Sequence, residues 1–139
     1  MIRIATKLGL LAGALMLAGT AADARPRLTG EEQLAKLLEG RVAGKPVNCI
    51  MLSNVQSSQV IDKTAIIYGS GSTIYVQRPK TGADSLDSND ILVTRLTTSQ
   101  LCSIDTVQLR DRNGLFWRGF VALDQFVPYT KPPKVALAD

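Results

Sequence analysis

The stretch Thr64–Pro79, TAIIYGSGSTIYVQRP, sets two apolar β-prone runs around Gly69-Ser70-Gly71-Ser72. A glycine-rich turn of this kind either cradles a phosphate or reverses a strand. A phosphate loop works because a helix begins immediately after it and turns its free N–H groups toward the anion. Here Thr73-Ile74-Tyr75-Val76 follows, which is a strand pattern, and the Lys-Ser/Thr pair of a P-loop is missing. The residues therefore predict a β-hairpin. With Ser70-Gly71 as a two-residue turn, Tyr68 faces Thr73, Ile67 faces Ile74, Ile66 faces Tyr75 and Ala65 faces Val76. Ala65, Ile67, Ile74 and Val76 then share one face, assigned to the core, and Tyr68 and Tyr75 lie on the other.

The same texture continues on both sides. Val47–Val55, Ile91–Leu96, Thr106–Leu109 and Leu115–Val121 are further short β-prone runs separated by turn residues. Asn113-Gly114, a favoured hairpin pair, predicts a second tight turn. That register sets Arg112 against Leu115, Arg110 against Trp117 and Val107 against Phe120. It puts Val107, Leu109, Phe116 and Phe120 on an apolar face and Trp117 on the opposite one, beside Arg110. Arg118 then falls among the apolar residues, opposite Leu109. Either it sits at the sheet edge and snorkels, or a bulge shifts the register.

One helix precedes the strands. Thr29-Gly30-Glu31-Glu32 matches a capping box, Leu34, Leu37 and Leu38 repeat at helical spacing, and Gly40 suits a left-handed stop. The prediction is a helix from about Gly30 to Glu39 with its leucines on a sheet. The fold class expected is mainly β: a small antiparallel sheet or rolled barrel with one N-terminal helix packed on it.

The ends read differently. Arg3 and Lys7 precede an apolar run from Leu8 to Gly19, and Ala22-Asp23-Ala24 is a small-x-small site. This is the pattern of a secretory signal peptide over residues 1–24, with an apolar run too short to span a bilayer as a helix. Thr20 stands where a lipoprotein would need cysteine, so no lipid anchor is expected. Residues 25–128 are expected to form a single β-rich domain, and 129–139 a Pro-containing tail. Loss of Arg3, Lys7 and Asp23 takes the formal charge from +4 to +3. The basic residues are spread along the chain, and with export this argues against nucleic acid as a partner. A periplasmic or secreted location follows, with no stable membrane anchor after cleavage and an envelope component or another exported protein as partner. Two apolar hairpins leave monomer and dimer both open.

Cys49 and Cys102 are the two cysteines of the chain, and it has no histidine. In an exported protein, an even count argues for a Cys49–Cys102 disulfide; the alternative is two reduced, buried thiols. Neither lies in a C-x-x-C motif, and two thiolates alone do not make a zinc site. Without histidine the usual general base and the Ser-His-Asp and Cys-His arrangements are excluded. Asp84, Asp87, Asn89 and Asp90 form an acidic loop that departs from EF-hand spacing and reads as a solvated turn. Asp62, Asp105 and Asp124 adjoin strands or turns without pairing across a cleft. No metal, cofactor or catalytic residue is therefore assigned. Trp117, Arg110, Tyr68 and Tyr75 are the candidate binding surface, if they are not instead buried in a barrel or a second core.

The segments NCIMLSNVQSSQVIDKTAIIYGSGSTIYVQRP, SQLCSIDTVQLRD and FVALDQFVPY, within Asn48–Tyr129, carry a recurring order of features. It runs Cys-Ile, Val-Ile-Asp before a strand, Leu-Cys-x-x-Asp, and a closing Leu-x-x-Phe-x-Pro. This order resembles a family of small exported proteobacterial proteins of unknown function. The resemblance implies further cysteines near KTGADSL and just before the final Leu-x-x-Phe. Gly82 or Ala83 and Val121 or Ala122 stand there instead, which leaves Cys49 and Cys102 to pair with each other. No activity comes with the family. The leading expectation is a non-catalytic exported binding or structural module. The alternatives are an inhibitor of an incoming hydrolase such as lysozyme, although Ser70-Gly71-Ser72-Thr73-Ile74-Tyr75 is one residue too long for a Ser-Gly-x-x-Tyr loop, and a small hydrolase using Asp62 or Asp105.

Overall fold

A computed structural model describes residues 26–134; the expected signal peptide and the last five residues of the expected tail lie outside this range. The order is α1 (Gly30–Leu38), β1 (Val42–Ala43), β2 (Cys49–Met51), β3 (Ser58–Ile61), β4 (Ala65–Tyr68), β5 (Thr73–Gln77), β6 (Asp90–Thr94), β7 (Gln100–Cys102), β8 (Thr106–Asp111), β9 (Trp117–Ala122) and β10 (Phe126–Thr130). Three antiparallel sheets form: β1-β10-β5-β4-β3, β2-β7 and β6-β8-β9. The fold is mainly β with one helix, and it takes the open-sheet form rather than the barrel.

The five-stranded sheet is covered on both faces. Ala65, Ile67, Ile74 and Val76 pack with Ile61 and the helix residue Leu34, with Leu38 and Tyr129 at the margin. The opposite face supplies Ile66 and Tyr68 to the main core, where they meet Val107, Leu109 and Val121 of the three-stranded sheet. Ile50 and Leu101 of β2-β7, together with Phe126, close that core.

The helix begins as its sequence dictates. The Thr29 hydroxyl accepts from the Glu32 N–H, and the Glu32 carboxylate accepts from the Thr29 N–H. Gly40 follows the last turn at φ 71°. Gly30 is needed for contact as well as flexibility, since a Cβ there would lie 2.5 Å from the Asp62 carbonyl oxygen of the β3–β4 turn.

The first hairpin forms with a wider loop. Tyr68 pairs with Tyr75, Ile67 with Val76 and Ile66 with Gln77, two residues away from the expected register. A slip of two preserves the faces, so Ala65, Ile67, Ile74 and Val76 still share one core. The loop widens because its groups are claimed from outside. The Ser57 carbonyl accepts the Gly69 N–H, and β10 pairs with the whole of β5, including Thr73 and Ile74. Arg41 donates to the carbonyls of Ser72 (2.8 Å) and Gly71 (3.0 Å). This loop turns carbonyl oxygens toward a guanidinium, the reverse of a phosphate cradle, which presents N–H groups.

Cys49 pairs with Cys102 across β2-β7, and the two form a disulfide with their Cα atoms 4.0 Å apart. The bridge closes a 53-residue separation, worth about 4 kcal/mol in the chain-entropy model. Strands β1, β3, β7 and β10 add to the runs read from sequence. β10 extends through Tyr129 and Thr130, so those two residues belong to the sheet and not to the tail.

Candidate functional site

The β8–β9 hairpin departs most informatively from its sequence reading. Arg110 does face Trp117, as the alternation requires. The connection is a five-residue segment, Arg112–Phe116, and not a two-residue turn. Leu115 adopts φ 57°, and the Asp111 carboxylate accepts from the N–H groups of Asn113 and Gly114. Beyond Arg110 the register shifts by one residue: Leu109 faces Gly119, Gln108 faces Phe120 and Val107 faces Val121. A β-bulge therefore absorbs Arg118, the second of the two outcomes open from sequence.

The bulge decides which side chains are inside. Val121 enters the core in place of Phe120, and Phe120 turns to solvent at 54 % exposure. Phe116, expected in the core, is 73 % exposed and lies over Gly114, where a Cβ would come within 2.5 Å of its ring. Trp117 is 62 % exposed. Arg118, freed from its awkward place opposite Leu109, pairs with Asp90 at the start of β6. The Asp90 side chain is fully enclosed and also accepts from the Asp87 N–H. The sequence held a signal for this. Gly119, at φ 142°, is a glycine inside a strand run next to a misplaced charge, and such glycines mark bulges.

Alternation along the three strands then defines the outer face of β6-β8-β9. It carries Ile91 and Val93 from β6, Gln108 and Arg110 from β8, and Trp117 and Phe120 from β9. Leu115 and Phe116 are exposed at the hairpin tip, with Phe116 opposite Asp111 and so not on this face, and Ile104 is an exposed apolar side chain in the turn before β8. Arg110 is held near the tip, donating to the Leu115 carbonyl at 3.2 Å.

Tyr68 and Tyr75 do not join this surface. They face each other on the five-stranded sheet and turn toward the main core. Tyr68 is buried edge-on to Phe126, and burial pushes its phenol pKa up. Its hydroxyl has no hydrogen-bond partner among the described residues. The sequence-derived surface therefore splits: Trp117 and Arg110 are brought together, and the tyrosines belong to the core, because the sheet's second face packs on another sheet instead of meeting solvent.

The carboxylates considered for catalysis have local structural roles. Asp62 accepts from the Ser88 N–H, and Asp105 from the Cys102 N–H at 2.7 Å. In the acidic loop, Asp87 accepts from the Asn89 N–H, and Asp90 is consumed by Arg118. Among the described residues no three of His, Cys, Asp and Glu gather as a metal site would need. A polar groove of about 640 Å³ runs between the open edges of β3 and β6, lined by Gln59 and Leu92 among others, and it brings no pair of acids together. Comparison of the chain with protein-family models, with curated proteins and with solved structures gave no match in any of the three.

Proposed function

We propose that the chain is an exported, non-catalytic binding module of the cell envelope and that the outer face of β6-β8-β9 is its binding surface. The observation that carries this reading is the exposure of Leu115, Phe116, Trp117 and Phe120 together on one hairpin. Single exposed apolar residues are ordinary, but three exposed aromatics within five positions of one hairpin point to an interaction site. Export is supported by the leader-like start and by the Cys49–Cys102 disulfide, a bond that persists in oxidising compartments. Among the described residues no helix is long and apolar enough to cross a membrane.

The test is fractionation of bacteria expressing the full chain. Retention of the wild type with the envelope, together with release of a Trp117→Ala/Phe120→Ser variant into the soluble periplasm, is the expected result. Equal retention of both would remove the hairpin as the binding surface. A chain found intact in the cytoplasm, leader uncleaved, would remove export.

A further inference from the structure

The binding face combines its aromatics with arginines. Arg110 lies within it, opposite Trp117. Arg112 and Arg95 stand exposed just past the ends of β8 and β6. Lys80 is exposed on the segment that runs beside β9, where its N–H donates to the Ala122 carbonyl. Three carboxylates lie at the border: Asp84 is exposed on the Ala83–Ser85 turn that packs on β9 and offsets Lys80, and the other two are engaged. Asp111 alternates to the inner side of β8 and is folded over the loop N–H groups. Asp105 lies at the rim, engaged by Cys102. Arg118 adds no free charge, because Asp90 neutralises it.

From these observations we propose that this face docks reversibly on an anionic lipid surface. Trp117 and Phe120 of the face, with Phe116 of the hairpin tip, enter the interfacial layer, and Arg110 and Arg112 reach the lipid phosphates. This rests on the reading above that the face is a binding surface. Amphipathic aromatics favour the boundary between headgroups and acyl chains, and arginine stems lie along apolar surface while the guanidinium meets phosphate. Leu115, Phe116 and Trp117 lie at the end of the hairpin, and Phe120 lies three residues further along β9. A second copy of the chain fits poorly, since a two-fold contact would set one net-basic face against another. Binding through two weak contributions, apolar burial and surface charge, is reversible and salt-dependent.

The chain supplies its own reporter, because Trp117 is its one tryptophan. Protein recovered from the periplasm after expression of the full chain would be mixed with phosphatidylglycerol vesicles, with phosphatidylcholine vesicles, and with phosphatidylglycerol vesicles carrying a doxyl-labelled chain. The expected result is a blue shift of Trp117 emission with phosphatidylglycerol, quenching by the doxyl group, and reversal at high salt. Phe116→Ser/Phe120→Ser should weaken binding about tenfold or more. Arg110→Gln/Arg112→Gln should weaken it at least about fivefold and flatten its salt dependence. Circular dichroism would confirm that each variant is folded.

Unchanged emission with phosphatidylglycerol overturns the proposal. Equal binding to phosphatidylcholine also overturns it, since the charge would then play no part. A blue shift that depends on protein concentration without lipid, accompanied by dimers in sedimentation, assigns the face to a second copy and overturns it too. Envelope retention that depends on Trp117, combined with no vesicle binding, would leave the binding-module reading standing and remove lipid as the partner.

Discussion

Replacing Arg118 with methionine isolates the contact that holds the β9 bulge. Methionine keeps much of the apolar stem and removes the guanidinium that pairs with Asp90. The Asp90 carboxylate is fully enclosed and would be left with the Asp87 N–H as its remaining donor. Removing one partner of a buried pair costs about 3–5 kcal/mol, because the other charge stays desolvated. The Arg118 side chain is 35 % exposed, so water reaches one side of the pair. We therefore expect a loss just below that range, about 2–3 kcal/mol, or roughly 10–15 °C in Tm for a domain of this size. Asp90→Asn/Arg118→Met should recover part of that loss, giving a coupling of about 1 kcal/mol or more in a double-mutant cycle. Urea denaturation followed by circular dichroism gives the four stabilities. A change below about 0.5 kcal/mol in Arg118→Met, or strictly additive single changes, would refute the claim that this pair anchors the bulge. Gly119→Ala probes the same feature through the backbone. Its Cβ would meet no atom within 4 Å, but φ is 142°, so strain alone should cost about 1–2 kcal/mol.

Three further outcomes follow from the packing. Cys49→Ser/Cys102→Ser should lower stability by about 2–4 kcal/mol in urea titration, and a reductant should do the same to the wild type but leave the variant unchanged. Tyr68→Phe removes a buried hydroxyl that has no partner among the described residues, so it should be neutral or stabilising by about 1 kcal/mol; a loss above that would reveal a partner for the hydroxyl. The hydrogen bond from Arg78 holds the Glu31 carboxyl below its usual range. Its stabilisation is present above about pH 4.5 and is lost as the pH falls through the lowered value. Both side chains are largely in water, so the effect should stay under about 1 kcal/mol. Arg78→Gln should abolish this part of the acid limb of a Tm-against-pH profile.

Local rules made much of the architecture legible. The capping box of Thr29 and Glu32, the leucine spacing of α1 and the left-handed Gly40 depend on neighbours within a turn or two, and the helix forms where they place it. Alternation correctly grouped Ala65, Ile67, Ile74 and Val76, because a strand's faces survive a register slip of two. Compartment and parity paired Cys49 with Cys102. Strand β3 was less legible, since Ser58 and Gln59 carry no apolar alternation and the strand is defined by its pairing with β4.

The surface was decided by contacts distant in sequence. A slip of one residue, unlike a slip of two, exchanges inside for outside, and the bulge at Arg118 is such a slip. It sends Val121 inward and Phe120 outward. What fixes it is Asp90, 28 positions away, whose enclosed carboxylate draws Arg118 out of the apolar row. Tyr68 follows the same logic: alternation put it opposite the helix-side core, and only the packing of one sheet on another made that second face a core as well. The sequence by itself determined the helix, the hairpins and the disulfide, because each is specified by local pattern or by count. Which aromatics reach solvent was settled by the tertiary structure, because a buried charge and a facing sheet compete for the same strand positions.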